Sequence, residues 1–454
     1  MHANQNVDGP AVRGQTTTTG LGGTATFLPL AVIAVFYCGT YLLYQSNLLI
    51  EFPERNEALL NVYLLVTFSG ICAGYLVGFC SGGGQRKPSS PPLKLEKAAT
   101  LGVAISAALF FPTIKLYTGQ QLSALFSLLT DPSSAYIAMV STVTGTRAER
   151  LWFVLLKAAV SPLVMLAIPL FAYTYFGQRR HGKKLGFVIV LMLVMSVFRG
   201  TDKEIFDAFI LTFGGAIVGV VKGWSQERRS RPERRWIITF VLALIVAISV
   251  FSFRKQERLG EAPYYCFKGT EICHPLMVDS RFGPASVGVM MFARYMTQGY
   301  YGLSVALEAD HESGHGVGHS RPLGYLASEL FGWNSSDIVV SQLDDLGWAS
   351  RGVWSTGVVW LANDVPFEYV PLVLFLLAAF LARLWRDSIQ SGDHLSVVLF
   401  AYLFFTFIYM PGNLQLAQSG DLYFGFLFWC LVYLVRMLGD GLYRDASSGG
   451  KVIP

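Results

Sequence analysis

The stretch Leu395–Met410, "LSVVLFAYLFFTFIYM", contains no charged residue and decides the fold class. Because an α-helix crosses the hydrocarbon core of a bilayer with roughly 20 apolar residues, a block of this kind is typical of a membrane span. Similar blocks recur along the whole chain, so the sequence predicts an all-α polytopic integral membrane protein. The blocks predict about ten transmembrane helices, at Phe27–Leu48, Ala58–Phe79, Ala98–Leu116, Trp152–Phe176, Leu185–Val197, Phe206–Val221, Ile237–Phe253, Tyr369–Leu384, Leu395–Met410 and Leu422–Met437.

The overall composition agrees with this class. Of 454 residues, 53% are hydrophobic and only 14% are charged, which is too few charges for several soluble domains of that total length. The net charge of +5 comes from basic residues clustered in short loops, which is not the pattern of a nucleic-acid-binding face. We therefore expect one membrane domain over residues 1–454, with membrane lipids as partners and no nucleic acid.

The basic loops predict the orientation of the chain, because Lys and Arg favour the cytoplasmic side. Ten spans with both termini in the cytoplasm bring every basic short loop to that side. These loops hold Arg86, Lys87, Lys94 and Lys97; Arg179, Arg180, Lys183 and Lys184; "KGWSQERRSRPERR" at 222–235; and Arg383, Arg386, Arg436, Arg444 and Lys451. Residues 1–26 and 438–454 are then cytoplasmic tails.

Residues 254–366 form a large extracytoplasmic loop in this topology. The stretch "GVMMFARYMTQGYYGLSVALE", at 288–308, is amphipathic, and we expect it to lie on or dip into the membrane interface. Cys266 and Cys273 lie in the same loop, seven residues apart. They predict a disulfide in an oxidising compartment, with two free thiols as the alternative.

The stretch "HESGHGVGH", His311–His319, contains His-Glu-x-x-His, which on a helix places two imidazoles on one face for zinc. Gly314, Gly316 and Gly318 each cost a helix about 1 kcal/mol relative to Ala, so the sequence favours a flexible loop and no metal. A solvated polar loop, or histidines that accept protons without a metal, are the other interpretations.

Arginines on the predicted outer side point to an anion. A guanidinium binds two phosphate oxygens at once, and aromatic faces suit the C–H faces of sugars. A helix-end anchor is the competing role for each arginine. The arginines are Arg147, Arg199, Arg281, Arg294 and Arg321, with Tyr295, Tyr300 and Tyr301 interleaved. Together they indicate a phosphate-linked sugar at the boundary between membrane and water.

The stretches "RYMTQGYYGLSVALE" and "GVGHSRPLGYL" resemble the Wzy-type oligosaccharide repeat-unit polymerases, in the GT-C-like superfamily shared with the O-antigen ligases. The resemblance implies a glycosyltransferase of the bacterial inner membrane that builds a surface polysaccharide such as O-antigen or exopolysaccharide. It would transfer a growing glycan from undecaprenyl diphosphate to the sugar of a second lipid-linked repeat unit, without a metal or other cofactor. A chain-length regulator protein is an implied partner.

The resemblance also suggests roles for individual residues. Arg281 and Arg294 are the first candidates for the diphosphate, followed by Arg147, Arg199 and Arg321. The glycan path would be lined by Tyr295, Tyr300 and Tyr301. His319 is the expected general base because it stands beside Arg321, and Glu308 is the second choice. A glycan ligase, a flippase for lipid-linked glycans and a membrane zinc metalloprotease remain the alternative functions.

Overall fold

The structure is a computed structural model that describes residues 23–81, 94–145, 147–225, 234–259, 264–267, 272–275, 284–349 and 353–448. Nearly all of these residues are helical. The first half of the chain forms α1 (Gly23–Thr26), α2 (Leu28–Gln45), α3 (Glu57–Cys80), α4 (Glu96–Thr118), a 3-10 turn (Leu122–Ala124), α5 (Leu125–Thr130), α6 (Pro132–Gly145), α7 (Arg147–Val164), α8 (Ala167–Gln178), α9 (Gly182–Arg199), α10 (Lys203–Ser225) and α11 (Arg234–Leu259).

The second half opens with a two-stranded hairpin and closes with three long helices. It forms β1 (Tyr264–Cys266), β2 (Cys273–Pro275), α12 (Pro284–Ala306), α13 (Arg321–Phe331), α14 (Val339–Gln342), α15 (Gly357–Ala362), a 3-10 turn (Phe367–Tyr369), α16 (Val370–Ser391), α17 (His394–Tyr409) and α18 (Gly420–Ser448).

Seven of the described helical segments are long and apolar enough to cross a membrane, which supports the predicted class of helical membrane protein. They are Leu28–Gln45, Glu57–Cys80, Glu96–Thr118, Leu151–Gln178, Lys203–Gly223, Phe367–Ser391 and Gly420–Gly439. Helices α9, α11 and α17 cover the other three predicted spans. Since α17 has only 16 residues, and Lys183, Lys184 and Arg199 lie within α9, the total of ten spans stays a prediction.

Three boundaries differ from the sequence prediction. The fourth predicted span is divided between α7 and α8, because Pro162 lies inside the last turns of α7 and has no N–H to donate. Helix α11 continues to Leu259, so the segment 254–366 begins inside a helix. Helix α18 continues to Ser448, so most of the predicted tail 438–454 is helical. Residues 1–22 of the predicted N-terminal tail lie outside the described ranges.

Helices α3 and α16 pack backbone to backbone along a row of glycines. Gly70, Gly74 and Gly78 repeat every fourth residue on one face of α3. A Cβ at Gly70 would lie 3.1 Å from the carbonyl oxygen of Pro371, and Cβ atoms at Gly74 and Gly78 would collide with the α16 backbone. Small residues at this spacing bring membrane helices into close contact, so this row fixes the pairing of α3 with α16.

The amphipathic stretch 288–308 forms most of α12, which is buried rather than spread on a membrane surface. Met290, Met291, Leu303 and Val305 are at most 2% exposed. Near its start Gly288 packs against Ser252 of α11, and near its end the carbonyl oxygen of Ser304 accepts a hydrogen bond from Asn56, just before α3. Helix α12 thus connects the end of α11 to the beginning of α3. We call the end of the bundle where α11 ends and α3 begins the loop face.

The hairpin β1–β2 is fixed on the loop face by aromatic packing. Cys266 and Cys273, the pair that the spacing predicted, are joined by a disulfide. Phe267 is 1% exposed and packs against Phe52 and Trp348, with ring centroids 5.6 and 5.5 Å away. The hairpin therefore belongs to the core of the loop face.

Candidate functional site

His319 and Asp364 form a hydrogen-bonded pair on the loop face. Nδ1 of His319 lies 2.6 Å from Oδ2 of Asp364, and the backbone N–H of His319 donates to the same oxygen at 2.8 Å. Since a carboxylate can only accept, Nδ1 carries the proton in this pair. In the neutral ring the other nitrogen, Nε2, is then a hydrogen-bond acceptor. A carboxylate that fixes the tautomer of a histidine in this way is what a histidine base requires.

The carboxylate of Asp364 is held by a turn of backbone N–H groups. Gly316 and Gly318 donate their N–H groups to Oδ1 at 2.9 and 3.0 Å. Burial opposes ionisation of Asp364, but the hydrogen bonds from His319 and this turn outweigh it. The pKa of Asp364 therefore lies below its usual range, and the carboxylate stays ionised.

The glycines of "HESGHGVGH" allow the loop backbone to approach the Asp364 carboxylate closely. The sequence had suggested a flexible loop instead. A Cβ at Gly314 would lie 2.6 Å from Oδ1 of Asp364, and a Cβ at Gly318 would lie 2.9 Å from the Cβ of Asn363. Gly316 has a φ of +80°, a conformation that residues with a Cβ rarely adopt. The loop is shaped to surround the carboxylate.

Two further contacts bring distant segments to His319. Asn363 donates from Nδ2 to the carbonyl oxygen of Gly318 at 2.9 Å. Ser320 caps the N-terminus of α13 and donates from its hydroxyl to the carbonyl oxygen of Ala417 at 2.8 Å. The loop 311–320, the turn after α15 and the segment 410–419 between α17 and α18 therefore meet at this residue.

Tyr423, in the first turn of α18, occupies the second nitrogen of His319. Its hydroxyl is hydrogen-bonded to Nε2, and the imidazole is 21% exposed. Asp421, two residues earlier, forms an ion pair with Lys157 of α7, which fixes this end of α18. The imidazole is therefore partly accessible, and the Tyr423 hydroxyl covers its Nε2 atom.

Arg321 is the cation nearest to His319 in the sequence and begins α13. Its guanidinium lies 5.0 Å from the ring centroid of Trp360, and the residue is exposed. Within the described ranges it has no carboxylate partner. Surrounding protein partly desolvates the guanidinium and lowers the pKa of Arg321. A stacked guanidinium can still offer its N–H edges to an anion, two residues from His319 in the chain.

Glu308, the second candidate base, is already paired. It accepts hydrogen bonds from Arg55 at 2.9 and 2.6 Å and from Asn56 at 2.6 Å. The Arg55 guanidinium and the Asn56 amide hold the pKa of Glu308 below its usual range. A carboxylate stabilised in its ionised form is a weak proton acceptor, which disfavours Glu308 as the base.

The His-Glu-x-x-His stretch does not form the helix that a zincin site needs. His311 lies in an irregular segment, with Nδ1 3.0 Å from the carbonyl oxygen of Ala362. His315 has a φ of +54°, so the two imidazoles do not share a helical face. Among the described residues no group of three His, Cys, Asp or Glu side chains is arranged to hold a metal ion.

Arg294 is enclosed by rings instead of facing an open site. It is 7% exposed, and its guanidinium lies 4.4 Å from the ring centroid of Tyr265, 4.9 Å from that of Phe267 and 5.4 Å from that of Tyr295. This cation–π packing attaches the hairpin to α12. The structure thus gives Arg294 a structural role, and a diphosphate role stays a prediction.

The three tyrosines predicted to line a glycan path are also differently placed. Tyr301 is 6% exposed and stacks on Phe52, with ring centroids 5.3 Å apart. Tyr300 is 3% exposed and its hydroxyl lies 2.8 Å from that of Thr40. Tyr295 is only half-buried and packs edge-on against Trp354. Burial leaves no free ring face for a sugar on Tyr301, and only Tyr295 keeps partial access.

The remaining predicted arginines do not join His319. Arg199 ends α9 and forms an ion pair with Glu204 at 2.5 Å, within a cluster where Arg254 and Lys255 both pair with Asp202 at 3.1 Å. Arg147 begins α7, but its side chain lies outside the part that the structure describes, as does Arg281 entirely.

Asp364 and Tyr423 are the site residues that the sequence prediction missed. Asp364 follows a short helix in an ordinary-looking turn, "LANDVP", and Tyr423 is one of several aromatic residues in an apolar helix. Only the pattern of three glycines around His319 carried a signal, since glycine at close spacing is typical of a backbone that wraps an anion.

Comparison with protein-family models, curated proteins and solved structures finds no match for this chain. The fold and the arrangement around His319 therefore define it as a helical membrane protein with a His–Asp pair on its loop face.

Proposed function

We propose that this chain is a membrane glycosyltransferase that polymerises oligosaccharide repeat units linked to undecaprenyl diphosphate. One observation supports this most directly: a His–Asp pair of the kind that activates hydroxyl groups lies at the end of a helical membrane protein, beside the exposed Arg321. Glycan transfer between lipid carriers requires a proton acceptor and an anion site close to a bilayer, and this site offers both.

The chemistry follows from the geometry of His319. The hydroxyl of the acceptor sugar would replace Tyr423 at Nε2 and give up its proton as its oxygen attacks C1 of the donor sugar. The bond between C1 and the diphosphate oxygen breaks, and the electron pair leaves with the lipid diphosphate. Asp364 stabilises the imidazolium, which later releases the proton to water.

Arg321 would act on the leaving group. Negative charge grows on the bridging oxygen as the C1–O bond breaks, and a guanidinium close to that oxygen lowers the barrier. The proposed protein would lie in the bacterial inner membrane with both termini in the cytoplasm and the loop face in the periplasm. The donor and acceptor glycans would be its partners, with a chain-length regulator as a further partner.

A gel ladder of lipid-linked glycan tests the proposal. We expect the ladder of long chains to collapse to single repeat units in the His319→Gln variant, while His311→Gln, altered in the same loop, keeps it. A ladder that is unchanged on deletion of the gene would contradict the polymerase. Normal polymer on the lipid carrier but none on its final acceptor would indicate the ligase instead.

A further inference from the structure

A cavity of about 470 Å³ lies between α2, α3 and α12. Tyr37 and Cys38 of α2, Leu64 and Phe68 of α3, Tyr300 of α12 and Pro411 line it. Its volume falls in the range of ligand-binding pockets, roughly 300–1,000 Å³. The walls are mainly apolar, so an apolar ligand of extended shape suits it better than a sugar.

The cavity faces the side of the bundle that a bilayer would surround. Leu65 of α3 lines the cavity and is 68% exposed, and Leu42, elsewhere on α2, is 66% exposed. The main packing partner of α2 is α12 and that of α3 is α16. Only side chains bridge α2 and α3 here: Tyr41 is hydrogen-bonded to Asn61, and the rings of Tyr37 and Phe68 lie 6.1 Å apart. A lipid chain would therefore enter the cavity sideways by parting these side chains of α2 and α3.

The cavity lies near the end of α3 that belongs to the loop face. Its lining residues on α3 run from Asn61 to Phe68, within three turns of the start of the helix at Glu57. At about 1.5 Å per residue they lie roughly 6–17 Å from that end. A lipid with its head group at the loop face would place the first carbons of its chain at this depth.

The inner end of the cavity is built from the segments that hold His319. Thr356 and Val358 line it and lead through α15 into Asn363 and Asp364. Met410 and Pro411 line it and begin the segment 410–419, which continues to Ala417 and its contact with Ser320. The two segments are joined where the N–H of Gly357 donates to the carbonyl oxygen of Met410 at 2.7 Å.

Three hydroxyls in this wall, those of Tyr37, Thr67 and Thr356, have no hydrogen-bond partner among the described residues, and that of Thr356 lies nearest the site in sequence. Thr356 is only 2% exposed. A buried hydroxyl without a partner is costly, and an oxygen at the polar end of a lipid would satisfy it. The cavity thus combines apolar walls with a polar group at the end towards the site.

We propose that this cavity binds the polyprenyl chain of the lipid-linked substrate, with its phosphate end towards the segments that hold His319. The proposal rests on the proposed function and adds the place where the lipid enters. It also gives Tyr300 a new role, since its ring and Thr40 close the back of a lipid site instead of lining a glycan path.

Cys38 provides a direct test, because it lines the cavity and is exposed. The full chain in nanodiscs is treated with N-ethylmaleimide, and modification of each cysteine is followed by mass spectrometry. We expect undecaprenyl phosphate to slow the modification of Cys38 at least fivefold. Cys80, exposed at the opposite end of α3, should react at an unchanged rate.

Two comparisons make the result decisive. An equal amount of phosphatidylglycerol should not protect Cys38; equal protection by both lipids would overturn the polyprenyl assignment in favour of ordinary acyl chains. Leu64→Trp, which fills the cavity, should abolish protection, whereas Leu42→Trp, on the exposed face of α2, should keep it. No protection of Cys38 by undecaprenyl phosphate would overturn the site itself.

The readout needs no glycan transfer, so the two proposals fail separately. Protection of Cys38 in a protein that forms no polymer would leave the lipid site standing and remove the polymerase. Polymer formation without protection would leave the polymerase standing and remove this lipid site.

Discussion

The Oδ2 atom of Asp364 lies 2.6 Å from the imidazole Nδ1 of His319 and 2.8 Å from its backbone nitrogen. A single carboxylate oxygen therefore fixes the ring and the main chain of the same residue. This arrangement sets both the tautomer and the position of Nε2, so a change at Asp364 affects the chemistry and the loop together.

Asp364→Asn should lower the rate of glycan transfer at least 100-fold. An amide no longer stabilises an imidazolium, and it can donate to Nδ1, which places the proton on Nε2 and removes the acceptor. Initial rates of polymer formation in membranes would measure the effect. Asp345→Asn, an exposed carboxylate of the same loop face, is the matched control and should keep the wild-type rate.

Acid should destabilise the wild-type protein partly through Asp364. Because the folded-state pKa of Asp364 lies below the usual value of about 3.9, the folded chain binds this proton less readily than the unfolded chain. The ionised Asp364 carboxylate therefore stabilises the fold above the usual pKa of about 3.9. This stabilisation is lost as the pH falls through the lower pKa of the folded state. Thermal unfolding at a series of pH values from about 3 to 6 measures this effect. The melting temperature should fall less steeply with acid in Asp364→Asn than in the wild type, and equal slopes would contradict this assignment.

Gly318→Ala should disrupt the site through sterics alone. The added methyl would meet the Cβ of Asn363 at 2.9 Å and Oδ1 of Asp364 at 3.1 Å, so the turn must open. We expect a loss of glycan transfer of at least tenfold and a lower melting temperature. Gly186→Ala is the control: its Cβ meets nothing within 4 Å in α9, and Ala favours a helix by about 1 kcal/mol.

Glu308→Gln should leave glycan transfer within about threefold of wild type, because the proposed mechanism assigns the proton to His319 and not to Glu308. The ion pair with Arg55 is partly exposed, with the Glu308 side chain 37% accessible, so its loss should cost about 0–1 kcal/mol of stability. The polymer ladder measures the first effect and thermal unfolding the second. A ladder reduced to single units would restore Glu308 as the base.

Cys266→Ser should destabilise the loop face by about 2–3 kcal/mol, the loop entropy expected for a cross-link that closes eight residues. Phe267, next to the bond, would lose part of its packing against Trp348. Thermal unfolding with and without a reducing agent would measure the change. Reduction should lower the stability of the wild type but not that of the variant, and an equal response in both would contradict the role of this bond.

The sequence predicted the helices well because their signal is local. The uncharged stretch Leu395–Met410 is α17, and the apolar blocks needed no knowledge of partners to be found. The stretch 288–308 is the opposite case. Its amphipathic pattern describes one polar and one apolar face, but whether the partner is a lipid surface or the hairpin and residues 353–358 depends on contacts far away in sequence.

The site was predicted only in part for a similar physical reason. His319 and Arg321 stand together in the chain, so they could be found together. Asp364 lies 45 residues away and Tyr423 lies 104 residues away from His319, and nothing local marks either of them. The sequence also cannot distinguish an arginine that faces an open site from one enclosed by rings, as Arg294 is.

The buried segment 410–419 has a consequence for how the protein matures. Irregular backbone at the margin of a bilayer is tolerated where protein covers it, and here the cover comes from residues translated earlier, including Ser320. The last helix, α18, then supplies Tyr423. A ribosome that stops after α17 would release a chain with most of its helices inserted but with His319 unsupported. His319 therefore gains its contact with Tyr423 only after α18 has been translated.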